Sequence, residues 1–159
     1  MIVAHEYIRS ITKDIQICGK AINFLPANKK LIEDFISSNA ADNNIESYPL
    51  IVMQTPKRKD TPNGNLKRIE LNSQRFILAM ETELNYSTDE RYEKNFKPIL
   101  FPLMEAFKKE MNKSNRVARF NIISYEDIEY LGNTDPVGKD KWDYIEIFAD
   151  VTLIENKEC

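Results

Sequence analysis

Apolar residues recur at helical spacing in the segment that follows Ser87, and two prolines interrupt that run. The apolar face consists of Tyr92, Phe96, Ile99, Leu100, Leu103, Phe107 and Met111. Ser87 and Glu90 have the spacing of a capping box, which predicts that a helix begins near Thr88. A proline in the interior of a helix costs about 3 kcal/mol or more. This long helix is therefore predicted to kink, or to restart, at Pro98 and Pro102.

The N-terminal part of the chain has a second helical pattern. Its apolar positions are Ala4, Ile8, Ile11, Ile15, Cys18 and Ile22. They predict an amphipathic helix that Gly19 ends early, with Cys18 as a small core residue on its apolar face. Asn28 is a suitable N-cap for a shorter second helix, with an apolar stripe that includes Leu31 and Ile32. Two N-terminal helices are expected.

Four segments have the patterns of β-strands. Residues 48–54 form a continuous apolar run, which predicts an inner strand that is buried on both faces. Residues 66–84 predict one long bent strand or two short ones, and residues 117–131 predict another strand. In the last segment, alternate residues from Ile145 to Leu153 are apolar, which predicts a strand with one core face and one half-polar face.

The order of these elements favours one α+β domain that covers residues 1–159. We expect a mixed, largely antiparallel sheet of about four to five strands, with two N-terminal helices and one long proline-kinked helix packed against it. The order is helix, helix, strand, strand, helix, strand, strand. Residues 55–65 and 132–141 are rich in proline, glycine and asparagine, and both segments are predicted to be projecting loops.

The charge balance restricts the classes of partner. The chain has 22 basic and 25 acidic residues and a formal net charge of −3, which argues against a dedicated nucleic-acid binder and gives no attraction to an anionic membrane. No stretch approaches the roughly 18 apolar residues of a membrane span, and the N-terminus does not have the pattern of a signal peptide. These features predict a cytoplasmic site of synthesis, and proteins or neutral ligands as partners.

The residues that usually carry catalysis are scarce. His5 is the only histidine, and Cys18 and Cys159 have no motif spacing, so zinc, haem and cysteine-based sites are not expected. The four glycines are isolated, and none begins a phosphate-binding loop. We therefore predict no catalytic residue, no metal ligand and no cofactor.

Carboxylates provide the alternative. Asp150, Glu155 and Lys157 loosely resemble the acid, acid-x-Lys arrangement with which some nucleases hold Mg²⁺. Glu126, Asp127 and Glu129 have oxygens that bind cations, although a solvated acidic strand edge explains them equally well. A small Mg²⁺-dependent nuclease or accessory enzyme is thus one alternative function, and a monomeric cytoplasmic adaptor is another.

The candidate contact residues lie in the first predicted loop and on the last strand. Lys57, Arg58 and Lys59 form the basic cluster of the loop, which contacts phosphate or only keeps the loop tip soluble. Trp142, Tyr144 and Phe148 are candidates for a protein interface, because Tyr and Trp are enriched at interface centres. Tyr144 and Phe148 are alternatively covered by a helix of the same chain.

Three segments resemble the neck and tail-terminator (tail-completion) proteins of tailed bacteriophages. They are residues 48–51 (Tyr-Pro-Leu-Ile), 88–103 (Thr-Asp-Glu-Arg-Tyr-Glu-Lys-Asn-Phe-Lys-Pro-Ile-Leu-Phe-Pro-Leu) and 141–147 (Lys-Trp-Asp-Tyr-Ile-Glu-Ile). The resemblance implies a structural virion protein that forms a ring, usually six-fold, at the head–tail junction. Such a ring terminates or completes the tail tube and joins it to the connector, with genomic DNA passing through the lumen. The partners that it implies are other copies of the chain, the tail tube protein and the neck proteins, and it carries no catalytic residue.

Overall fold

The computed structural model describes residues 3–36, 48–56, 68–83, 85–130 and 142–155, which form a five-stranded sheet, a separate two-stranded hairpin and helices. The helical elements are α1 (Ala4–Thr12), α2 (Lys29–Ile36), α3 (Thr88–Arg91), a π-helical segment (Tyr92–Leu100) and α4 (Phe101–Lys113). The strands are β1 (Gln16–Ile17), β2 (Lys20–Ala21), β3 (Asn23–Ala27), β4 (Leu50–Gln54), β5 (Arg68–Glu81), β6 (Val117–Ile128) and β7 (Trp142–Ile154). The predicted α+β class is confirmed.

The order of strands in the large sheet is β3-β4-β5-β7-β6. Only the β3–β4 pair is parallel, and the other three pairs are antiparallel. The prediction of a mixed, largely antiparallel sheet is therefore confirmed. The edges of this sheet are β3, which has 5 residues, and β6, which has 12.

The main core lies between one face of this sheet and the long helix, with α1 beside it. Alternate residues of β7 point into this core: Ile145, Ile147, Ala149, Val151 and Leu153. This is the alternation that the sequence predicts, because successive side chains of a strand point to opposite faces. The helix contributes Phe96, Leu103, Phe107 and Met111, each of which is fully buried.

A smaller apolar cluster lies on the opposite face of the sheet. Ile32 of α2 packs there with Leu50 and Val52 of β4, Ile77 of β5 and Trp142 of β7. All four residues from Leu50 to Met53 are completely buried, because β4 is an inner strand with apolar clusters on both faces. The prediction of an inner strand within residues 48–54 is confirmed.

β5 is one long strand, which is the first of the two forms predicted for residues 66–84. Its pairing with β7 shifts between Leu71 and Gln74, which is the signature of a β-bulge. Ser73 has a φ of 49°, and its backbone N–H donates to Asp150 Oδ1 at 3.0 Å. That hydrogen bond ties the bulge of β5 to the neighbouring strand.

The N-terminal helix is shorter than its apolar pattern predicts. It ends at Thr12, whose hydroxyl donates to the Ile8 carbonyl at 2.9 Å, and the chain then forms the β1–β2 hairpin. Cys18 and Gly19 make the two-residue turn, with φ values of 52° and 76°, as tight hairpin turns require. The prediction that Cys18 is a core residue is wrong, because the hairpin turn places this residue at the surface.

The start of the long helix is as predicted. The Ser87 hydroxyl accepts the Glu90 N–H at 3.2 Å, and the Glu90 carboxylate accepts the Ser87 N–H at 3.4 Å, which completes a capping box. A simple N-cap starts α2, where Asn28 Oδ1 accepts the Leu31 N–H at 2.8 Å. Both predicted helix starts are confirmed, and the favourable first-turn acids Asp89 and Glu90 lie at the positive end of the helix dipole.

The two prolines of the long helix are accommodated by a change of helix type. Pro98 lies inside the π-helical segment, and Pro102 lies in the first turn of α4, directly after that segment. Because Pro102 has no N–H to donate, the Pro98 carbonyl has no partner of the usual α-helical spacing. The Cys18 thiol lies 3.8 Å from that carbonyl and donates to it.

Most of the two predicted loops lies outside the described residues. Residues 57–67 and 131–141 lie outside the described ranges. The candidate contact residues Lys57, Arg58 and Lys59 are among them. The single-domain organisation remains a prediction, although both apolar clusters pack on the same sheet.

Candidate protein interface

Two of the candidate interface residues on β7 are packing residues of this chain. Trp142 is 2% exposed, and its indole N–H donates to the Tyr48 hydroxyl at 2.8 Å. Tyr144 is 7% exposed within the cluster that α2 covers, and Phe148 is half-buried. Because the contact surface of a partner must be accessible, Trp142 and Tyr144 do not provide one in this chain.

The carboxylates that suggest a nuclease are not gathered into a metal site. Asp150 accepts a hydrogen bond from the Ser73 backbone and lies 3.8 Å from the Arg119 guanidinium, so it has a structural role in the sheet. Lys157 is not described. Within the described ranges, no group of three or more His, Cys, Asp or Glu side chains is close enough to hold a metal ion.

A buried polar network joins the start of the long helix to β7. Asp143 is fully buried, and its carboxylate accepts from Arg91 at 2.8 Å, from Asn95 at 2.8 Å and from the Tyr130 N–H at 3.0 Å. Arg91 also donates to the Thr82 hydroxyl and to the backbone carbonyls of residues 83 and 86. Each partner satisfies the others, as buried polar groups must, so the network fixes the helix on the sheet.

Among the described residues, the edge strand β6 carries most of the exposed large apolar side chains. Only three large apolar side chains are exposed among the described residues, and two of them, Ile123 and Tyr125, belong to β6. Ile123 is 52% exposed and Tyr125 is 62% exposed. One side of β6 pairs with β7, and the backbone groups of its other side face away from the sheet. Such an edge is a template for pairing with another chain.

A bulge in the middle of β6 changes which side chains share a face. The pairing with β7 shifts between Ile122 and Ser124, so that Phe120 is opposite Val151 and Tyr125 is opposite Ile147. Val151 and Ile147 both point into the main core. Phe120 and Tyr125 therefore lie on the same face of the sheet, although a regular strand would put residues five positions apart on opposite faces.

A groove runs between this face of β6 and α4. It has a volume of about 550 Å³, and its lining includes Met104 and Lys108 from the helix and Phe120, Ile122 and Tyr125 from the strand. Its apolar floor is fixed by the Phe120 ring, which packs edge-on against Phe107 at 5.6 Å between ring centroids. The edge and the groove together form a surface, here called the β6 surface, that fits an extended partner chain.

The buried side chain of Tyr144 gives the fold a dependence on alkaline pH. Burial raises the pKa of Tyr144, and the nearby Glu146 carboxylate raises it further. A raised phenol pKa contributes stability below the unfolded pKa of about 10, and this contribution is lost as the pH rises through the folded pKa. We expect the free energy of unfolding to fall above about pH 10, and to fall less in Tyr144→Phe.

Urea denaturation between pH 8 and 11 measures this effect. Tyr125→Phe is the matched control, because the Tyr125 side chain is 62% exposed and this change also removes one phenol hydroxyl. An identical alkaline decline in Tyr144→Phe and the wild type would contradict the assignment.

Comparison of the chain with the models of known protein families, and with curated proteins, finds no match. Within the described part of the chain, no helix is both long enough and apolar enough to span a membrane.

Proposed function

We propose that this chain is a structural virion protein that assembles with other protein chains at the head–tail junction of a tailed bacteriophage. It forms a ring that terminates or completes the tail tube and joins it to the connector. The observation that supports this proposal is the β6 surface, in which a 12-residue sheet edge carries two exposed apolar side chains beside a groove. The resemblance of residues 48–51, 88–103 and 141–147 supplies the type of assembly.

The physical basis is β-strand addition. Main-chain hydrogen bonds give affinity at an exposed edge, and pockets for alternate side chains give specificity. Ile123 and Tyr125 add apolar area that a partner removes from water, at about 25 cal/mol per Å². The net charge of −3 suits a ring around a DNA channel, since a chain without excess positive charge does not hold the phosphate backbone.

Electron microscopy of purified particles tests the proposal directly. A tagged copy of this chain is expected to label one ring at the head–tail junction. Label elsewhere, or its absence from particles, would contradict the proposal. Mg²⁺-dependent DNA cleavage that is lost in Asp150→Ala would instead support the nuclease alternative.

Charged substitutions on the β6 surface are expected to impair particle assembly. Ile123→Lys and Tyr125→Lys place an ammonium group in the contact, so we expect the yield of complete particles to fall by about tenfold or more. Leu31→Lys is the matched control, because Leu31 is the third exposed large apolar side chain and lies on α2, away from β6. Complementation of a deletion strain measures the yield. Equal losses in all three variants would show that the β6 surface has no special role.

A further inference from the structure

The two ends of β6 carry opposite charges. Arg119 lies near its beginning, with Arg116 just before the strand, and Glu126 lies near its end, with Glu129 just after the strand. We propose that a second copy of this chain binds along β6 in the antiparallel direction, and that the isolated protein is a two-fold dimer through this edge. The dimer goes beyond the proposed function, because it concerns the free chain. A two-fold contact uses the same edge on both copies, so the dimer has to separate before β6 pairs with a virion partner.

The charge distribution selects the direction of pairing. In the antiparallel arrangement, the basic end of each strand lies beside the acidic end of the other. Opposite charges then attract each other at both ends of the contact. In the parallel arrangement, like charges lie side by side, which destabilises cross-strand pairs. Arg119 and Glu126 are accessible for this contact, since the Arg119 side chain is 61% exposed and Glu126 is also exposed. Charge complementarity of this kind fixes the register of an interface.

One register of the two β6 strands places opposite charges beside each other and also pairs residues that lie on the same face of the sheet. When Arg119 is opposite Glu126 of the second copy, Phe120 is opposite Tyr125 and Asn121 is opposite Ser124. The members of each pair lie on the same face of the sheet, because residues 119, 121, 124 and 126 are opposite residues of β7 that point away from the main core. The bulge after Ile122 produces this match. A two-fold axis perpendicular to the sheet requires such a match, since it keeps each face of the sheet on its own side.

The bulge also limits which other strands bind. Bulges at sheet edges disrupt regular pairing and discourage aggregation. A second copy has the same bulge, and the two-fold axis places both bulges at the centre of the contact. A regular strand from another protein has no bulge to match the one in β6, so pairing with a second copy of this chain is favoured.

The groove beside β6 accommodates a side chain of the second copy. In the proposed register, Tyr125 of the second copy lies opposite Phe120, which forms part of the groove lining with Met104 and Ile122. Aromatic pairs directly across two strands stabilise sheets. The contact occurs twice, because the interface is two-fold. It also removes the exposed Tyr125 ring from water.

The other sheet edge is a poorer site for self-pairing. β3 has 5 residues and contains Pro26, which has no N–H to donate to a partner strand. Arg9 lies over the Phe24 ring of β3, 5.5 Å from its centroid. The long edge β6 contains no proline and no lysine, which are common protecting residues of edges.

Light scattering after size-exclusion chromatography tests the dimer. The wild-type chain is expected to have twice the 18.6 kDa mass of one copy. In Glu126→Arg, arginine faces Arg119 of the second copy, so we expect the dissociation constant to rise at least about tenfold. This variant keeps its fold, because residue 126 is opposite Glu146 of its own chain. Adding Arg119→Glu to Glu126→Arg restores opposite charges and is expected to restore the dimer.

A disulfide tests the register. Asn121→Cys together with Ser124→Cys, in a chain whose own cysteines are replaced by serine, is expected to form a covalent dimer on mild oxidation. Directly opposite residues of antiparallel strands have Cα atoms about 4.5–5.5 Å apart, within the range of a disulfide. Within one chain the two positions are about 10 Å apart along the strand, so an internal bond does not form. The pair Glu93→Cys and Glu105→Cys is the control, because both positions are exposed on the long helix and are too far apart along it for an internal bond.

Several outcomes would overturn the dimer. A monomeric wild-type chain at about 100 µM would leave the β6 edge to another protein. A dimer that Glu126→Arg does not weaken, or that the charge exchange does not restore, would place the contact elsewhere. The proposed function fails separately, because it requires the chain in particles, whereas the dimer is measured on the purified chain.

Discussion

Replacing Asp143 with alanine is expected to lower the free energy of unfolding by about 3–5 kcal/mol, which is typical when one partner of a buried ion pair is removed. The Arg91 side chain is 5% exposed and would keep its charge without a carboxylate beside it. The Asn95 amide and the Tyr130 N–H would also lose their acceptor. Such losses are large because the interior does not replace the missing partners with water.

Chemical denaturation of the variant and of two controls measures this effect. Asp150→Ala removes a carboxylate from the same strand. That carboxylate is partly exposed, accepts the Ser73 N–H and lies 3.8 Å from the Arg119 guanidinium, so a much smaller loss is expected. The double variant Arg91→Met and Asp143→Leu is expected to lose less than the sum of its two single variants, because neither charge is then left alone. A loss below about 1 kcal/mol in Asp143→Ala would contradict this account.

Replacing Phe107 with alanine is the second change with a large expected effect, at about 3–5 kcal/mol. The Phe107 ring is fully buried, and it packs edge-on against Phe76 at 5.1 Å and against Phe120 at 5.6 Å between centroids. Its removal leaves a cavity between α4 and the sheet, and the floor of the β6 groove loses its support.

Phe107→Leu is the matched control, because it keeps most of the buried apolar area and is expected to cost clearly less. Denaturant midpoints give the stabilities, and light scattering of the folded variant reports on the dimer. We expect Phe107→Ala to weaken the dimer as well, since Phe120 would no longer be held in place. Equal stabilities of the alanine and leucine variants would show that this site repacks without a cavity.

Local patterns predict the helices and strands well where one signal dominates. The capping box at Ser87, the cap at Asn28, the apolar run of β4 and the alternation of β7 all have the expected structures. Residues 13–27 are the exception. Ile15, Cys18 and Ile22 continue the helical spacing of α1 by coincidence, and the turn at Cys18 and Gly19 overrides it. Two positive φ values in succession favour a hairpin and do not fit a helix.

The accessible site was harder to predict, because it depends on strand order. A sequence does not indicate that β6 is an edge or that β7 is central, since the β5–β7 pairing joins distant segments. The burial of Trp142 and Tyr144 also depends on distant segments, because both residues pack in one apolar cluster with residues of α2 and β4. One local feature of the β6 sequence does indicate the bulge. Ile122 and Ile123 are adjacent apolar residues, and they break the alternation at the bulge.

The π-helical segment has a consequence for the evolution of the chain. In a π-helix each hydrogen bond joins residues five positions apart, whereas in an α-helix it joins residues four positions apart. One turn of the π-helical segment therefore contains more residues than one turn of an α-helix. Arg91 precedes this segment and contacts Asp143, and Phe107 follows it and packs against Phe76. The larger number of residues per turn lets both side chains point toward the sheet. We expect a homologue without the two prolines to have a deletion between these residues, because a regular α-helix of equal length would turn one of the two side chains away from the sheet. Gaps in an alignment should therefore fall inside this helix, and not only in the loops.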